Sequence, residues 1–103
     1  MKTKNRVQLK GFQKKNEFLL YQPKHDDYLA VFHESEAVQQ TAWCSHPSRA
    51  IKFGSVALAL KRAKQILEEK DFGYELVICQ LHESNNQFAV EDVKRLKNSP
   101  FNQ

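Results

Sequence analysis

Residues 55–70, SVALALKRAKQILEEK, decide how the rest of the chain reads. Val56, Ala59, Leu60, Ala63, Ile66 and Leu67 recur at the spacing that places them on one face of a helix, while Lys61, Arg62, Lys64, Gln65, Glu68 and Glu69 fill the other. Ser55 precedes the stripe and is able to accept a hydrogen bond from a free first-turn amide, and Asp71, Phe72 and Gly73 supply a stop. A helix with a single apolar face needs a surface to lie on, and the flanking segments read as strands.

Downstream, residues 75–82 (ELVICQLH) form a β-rich run, and Asn85-Asn86 is turn chemistry ahead of a shorter run at 87–90. Val90, Val93 and Leu96 then share helical spacing within VEDVKRLK, which predicts a short C-terminal helix ending by Asn98 and a frayed tail over 98–103. Upstream, residues 45–53 (SHPSRAIKF) contain Pro47 and read as an irregular connection that tucks Ile51 and Phe53 inward. Residues 37–43 (AVQQTAW) read as a strand. So do 27–33 (DYLAVFH) and 17–22 (EFLLYQ), which are joined across Pro23 and Lys24-His25-Asp26. Val7 and Leu9 alternate with polar residues over 6–12, as in an edge strand. The expected fold is α+β: a mainly antiparallel sheet of four to five strands packed on one main helix as a two-layer sandwich. A basic arm occupies 1–16, the domain 17–97 and the tail 98–103.

At 103 residues there is room for one such core. No apolar run approaches the ~20 residues that span a bilayer, and MKTKNRVQLKGF lacks the apolar core of a secretory signal. Cys44 and Cys79 stand singly in apolar surroundings, as buried thiols do in a reducing compartment, so the expected location is cytoplasmic. The formal charge of +4 is unevenly placed. Lys2, Lys4, Arg6, Lys10, Lys14 and Lys15 face only Glu17 within the first 17 residues, whereas the remainder has ten Lys or Arg against eleven Asp or Glu.

Those six cations are the candidate nucleic-acid contacts, because clustered Lys and Arg release counterions from a phosphate backbone. The same lysines also read as protection of an edge strand against self-pairing, and an unprotected edge there would allow a homodimer in place of a monomer. Trp43, His46 and Arg49 are the candidate protein contacts, since Trp and Arg anchor interfaces and this segment is loop-borne. Core packing of Trp43 is the competing reading.

Neither a metal nor a cofactor is expected. His25, His33, His46, His82, Cys44 and Cys79 match no ligand framework, and Gly11, Gly54 and Gly73 are too isolated to cradle a phosphate. Catalysis would rest on Cys44 with His46, which nothing in the sequence orients, and the paired acids at 26–27, 34 and 36, 68–69 and 91–92 sit where solvated carboxylates normally do. The chain is therefore read as non-enzymatic.

The succession of a strand pair, Trp43, Ala50-Ile51-Lys52-Phe53, the alanine-rich helix at 57–63 and the strand at 76–81 resembles small, uncharacterised accessory proteins of phages and prophages. The resemblance covers roughly residues 28–81 and brings no catalytic motif. It implies a short protein that works by binding a partner, such as a host enzyme, a defence complex or a regulatory factor. The leading expectation is a phage-type inhibitor or modulator acting through a protein partner, and the alternative is a nucleic-acid-binding accessory protein.

Overall fold

A computed structural model describes Leu9 and residues 11–70 and 73–98. In chain order these form β1 (Gln13–Gln22), β2 (Asp27–Glu34), β3 (Gln39–Cys44), a 3-10 turn (Pro47–Arg49), α1 (Val56–Leu67), β4 (Glu75–Ser84) and β5 (Gln87–Lys97). The five strands make one antiparallel sheet ordered β3-β2-β1-β4-β5. The architecture is α+β, as the patterning predicts.

The central position of β1 and β4 explains why EFLLYQ and ELVICQLH are apolar on successive residues and not on alternate ones: both of their faces are covered. Phe18, Leu20, Leu29, Leu76 and Ile78 face α1 and pack with its buried stripe of Ala59, Ala63 and Ile66. Leu19, Tyr21, Tyr28, Val77, Cys79, Leu81 and Val90 face the other way, with Ala50, Cys44 and Phe88 against them. Each fully buried large aliphatic contributes roughly 1.5–3 kcal/mol. Ser55 caps α1 as predicted, its hydroxyl accepting from the Leu58 amide at 3.2 Å.

β1 and β2 are directly paired only beside their turn, at Tyr21↔Tyr28 and Gln22↔Asp27. Farther along they part, and residues 51–53 fill the gap. The Ile51 amide donates to Leu29 O at 2.9 Å, and Phe53 exchanges both backbone hydrogen bonds with Phe18, at 2.9 and 2.8 Å. Ala50 belongs to one core cluster and Ile51 and Phe53 pack against the other, so the chain crosses the plane of the sheet here and emerges on the face that α1 covers. Inward placement of Ile51 and Phe53 is as the sequence predicts.

Three sequence expectations require correction. The predicted C-terminal helix is strand: residues 90–96 lie within β5, paired along β4 from Ser84↔Gln87 to Glu75↔Lys97. The register shifts between Ile78↔Lys94 and Cys79↔Asp92, which leaves Val93 as an extra, bulged residue. Before the bulge Val90 faces the Cys79 cluster, and after it Leu96 faces α1. The i, i+3, i+6 spacing of Val90, Val93 and Leu96 is thus a change of face within a strand. Second, β1 begins at Gln13, so Lys14 and Lys15 belong to a central strand and not to an arm. Of the edge strand predicted over 6–12, only Leu9, Gly11 and Phe12 lie within the described residues; they form a turn in which the Phe12 amide donates to Leu9 O at 2.9 Å.

Third, Asn98, placed in the tail by the sequence, is a fastener. Its side-chain amide donates to Leu67 O (3.1 Å) and Lys70 O (2.9 Å), satisfying carbonyls at the C-terminal end of α1, and its Oδ1 accepts from the Tyr74 amide at 2.9 Å. Its own backbone amide donates to Tyr74 O. The remainder of the predicted tail, 99–103, lies outside the described residues.

Candidate protein-docking site at the β3 edge

The sheet has two edges, and their compositions differ. β5 carries Glu91, Asp92, Lys94, Arg95 and Lys97 and contains the Val93 bulge. Charges and bulges are the devices that keep an edge from pairing with another chain. β3, QQTAWC, has no charge, no proline and no glycine, and among the described residues its only sheet neighbour is β2. Gln40 and Ala42 are exposed. On the partner strand Val31, opposite Ala42, is 51% exposed, so the sheet face beside this edge is partly apolar and open.

β3 ends at Cys44, where Ser45 and Pro47 turn the chain into the 3-10 turn. His46 caps that turn: its Nδ1 accepts from the Ser48 amide at 3.2 Å and lies 2.7 Å from Ser48 Oγ. A backbone amide only donates, so the network assigns Nδ1 as acceptor and, in the neutral ring, the proton to Nε2. The ring stands edge-on to Phe88 of β5, centroids 6.1 Å apart. Cys44, Ser45, His46, Ser48 and Arg49 line an open depression of roughly 560 Å³. The Lys52 ammonium folds back over the turn, donating to Ser48 O at 2.6 Å and Ala50 O at 2.9 Å.

Of the three predicted protein contacts, His46 and Arg49 share this depression and are exposed, but Trp43 does not join them. Successive residues of a strand point to opposite faces, so Trp43 packs with the α1 cluster while Cys44 faces the other. Its indole Nε1 donates to Thr41 Oγ1 at 3.2 Å. The alternation was readable in AVQQTAW once Cys44 was counted as the next strand residue.

The catalytic arrangement considered for Cys44 is not formed, because the thiol donates to the backbone carbonyl of His46 at 3.3 Å and not to its ring. Cys79 is buried, and its thiol is pushed up from the usual range by burial first and by neighbouring Asp92 second. No group of three or more His, Cys, Asp or Glu gathers as a metal shell among the described residues. His82 is 4% exposed and is satisfied by Glu91 Oε1 at 3.0 Å.

Four of the six predicted nucleic-acid contacts, Lys2, Lys4, Arg6 and Lys10, lie outside the described residues. Lys14 is exposed on β1, and Lys15 pairs with Glu83 at 3.6 Å, a half-exposed ion pair of small energetic weight. No helix among the described residues is long and apolar enough to cross a membrane.

Comparison with family models, curated proteins and solved structures yields no match.

Proposed function

We propose that this chain is a small non-enzymatic binding protein that takes an extended segment of a protein partner onto β3. The observation that carries the reading is the contrast between the edges, one defended by five charged residues and a bulge, the other uncharged and open. A strand added to an open edge gains main-chain hydrogen bonds, and alternate side chains set its specificity. The reading takes the domain as a two-layer sandwich, α1 stabilising the sheet from one side and leaving the β3 edge to a partner. The resemblance to phage accessory proteins adds a class of partner, a component of a host or defence complex in the cytoplasm.

The test is selection of random octapeptides on the native chain, followed by binding to Gln40→Lys/Ala42→Lys, which places two charges on the exposed positions of β3. Selected peptides are expected to be rich in β-formers and to lose at least tenfold in affinity for the double variant. Failure to select any peptide, or peptides indifferent to the lysines, sinks the reading.

The charge gathered before Glu17 favours a second reading, in which Lys2, Lys4, Arg6, Lys10, Lys14 and Lys15 contact nucleic acid. It predicts anisotropy-detected binding of a labelled single strand or duplex that weakens steeply with salt and is lost without residues 1–16. Salt-insensitive binding, or none at low salt, would rule it out.

A further inference from the structure

The depression at the end of β3 has a chemical bias that the docking reading does not use. Among the described residues its lining, Cys44, Ser45, His46, Ser48 and Arg49, includes one guanidinium, one imidazole, two hydroxyls and a thiol, and no carboxylate. The polar groups are not equally available to a ligand. The Cys44 thiol is directed at His46 O, and the Ser48 hydroxyl lies against His46 Nδ1. With Nδ1 engaged by the Ser48 amide, the neutral ring keeps a donor at Nε2, and the contact with Phe88 helps fix the ring. Arg49 is exposed and offers a planar fork of N–H donors. Lys52 is not part of the lining, and its ammonium is directed at the carbonyls of Ser48 and Ala50.

From these positions we infer that the depression is a carboxylate subsite, in which the Arg49 fork and His46 Nε2–H receive an Asp or Glu side chain. Building on the docking reading, that side chain belongs to the segment lying along β3, whose last residue, Cys44, lines the depression. A single carboxylate matches the site better than a phosphate. The lining supplies one guanidinium fork and one imidazole N–H, which match the two oxygens of a carboxylate, whereas the Lys52 donors are directed at carbonyls and leave no second charge-assisted partner for a dianion.

The experiment follows the amide resonances of the full-length ¹⁵N-labelled chain as sodium acetate, sodium phosphate or sodium chloride is added at constant ionic strength. Acetate is expected to move the amides of residues 45–49 saturably, chloride is not, and Arg49→Gln is expected to abolish the acetate response while leaving the rest of the spectrum unchanged. A non-saturable acetate response, persistence of the response in Arg49→Gln, or stronger binding of phosphate at the same amides overturns the inference. A second arm uses β3-binding octapeptides that contain Glu. Replacing that Glu by Gln is expected to weaken binding about 10- to 100-fold, the size of one charge-assisted hydrogen bond. Peptides that bind β3 with no such loss overturn the subsite and leave strand docking intact. A saturable acetate response dependent on Arg49, with no selectable peptide, supports the subsite and overturns docking.

Discussion

Deleting Val93 is expected to leave the fold in place, and the reason lies in the pairing of β5. Cys79 is opposite Asp92 and Ile78 is opposite Lys94, so Val93 is the one residue of that stretch without a counterpart. Removing it joins Asp92 to Lys94 with their partners unchanged. Every residue on either side keeps its face, because a shift of face at this point is what the bulge already supplies. Val93 is 44% exposed, so roughly half of a valine's burial is lost, on the order of 1 kcal/mol, partly offset by an uninterrupted ladder.

Deleting Ala89 is the control. It is 2% exposed and paired with His82, and its loss shifts the strand against β4 by one residue. Either Val90 and Leu96 leave their clusters or the turn at Asn85 and Asn86 must reform, a cost of about 3–6 kcal/mol for two large apolar side chains. That is a large share of the 5–15 kcal/mol that holds a domain folded. Urea unfolding followed by far-ultraviolet circular dichroism and by Trp43 fluorescence measures both variants. If the Val93 deletion loses more than about 3 kcal/mol, or the Ala89 deletion is the milder of the two, the bulge assignment is wrong. A helix over 90–96 would give that result, since Val93 would then sit in the middle of its apolar stripe.

Three further outcomes follow from individual residues. Asn98→Ala is expected to destabilise by about 1–3 kcal/mol, because the carbonyl of Lys70 and the amide of Tyr74 lose the Asn98 side chain together and the carbonyl of Leu67 keeps only the Lys70 amide; denaturation midpoints within error of the native chain would contradict this. One thiol per chain is expected to react readily with Ellman's reagent in the native state, half-buried Cys44, while Cys79 reacts only as fast as the chain opens, so prompt labelling of two thiols would show that the second core cluster is not closed. Burial, with the Asp27 charge second, pushes the Tyr74 phenol up to about 12, whereas an unfolded tyrosine ionises near 10. Between those values the unfolded chain releases the proton first, so stability falls as pH rises from about 10 to 12. Tyr74→Phe should flatten that decline, and an equal slope in both chains would count against the buried phenol.

The helix was legible because its two faces differ sharply in composition, and β1, β2 and β4 because their apolar runs are stopped by turn residues. Pro23 and the residues after it, and Asn85-Asn86, mark such stops, and Asp26, Asn85 and Asn86 do adopt left-handed backbone conformations. What escaped was whatever depends on partners distant in sequence. Gln13, Lys14 and Lys15 have no apolar pattern of their own; Gln13 and Lys14 pair with Glu83 and His82, and the Gln80 side chain donates to Lys15 O at 2.9 Å. The bulge at Val93 mimics helical spacing, and only its pairing with β4 reveals the change of face. At the site, the proximity of His46 and Arg49 was readable from SHPSR. The open edge was not, since a strand's place in the sheet order is set by which distant strands pair with it, and nothing within QQTAWC encodes that.

The different character of the two edges also limits how many copies could assemble. Should two chains meet antiparallel along β3, the ten-stranded sheet so formed would end on both sides in β5, with its charges and its bulge. Growth would stop at the pair. Self-association of this kind would compete with ligand for the same strand, so rising concentration would lower the binding capacity of each chain without leading on to fibres.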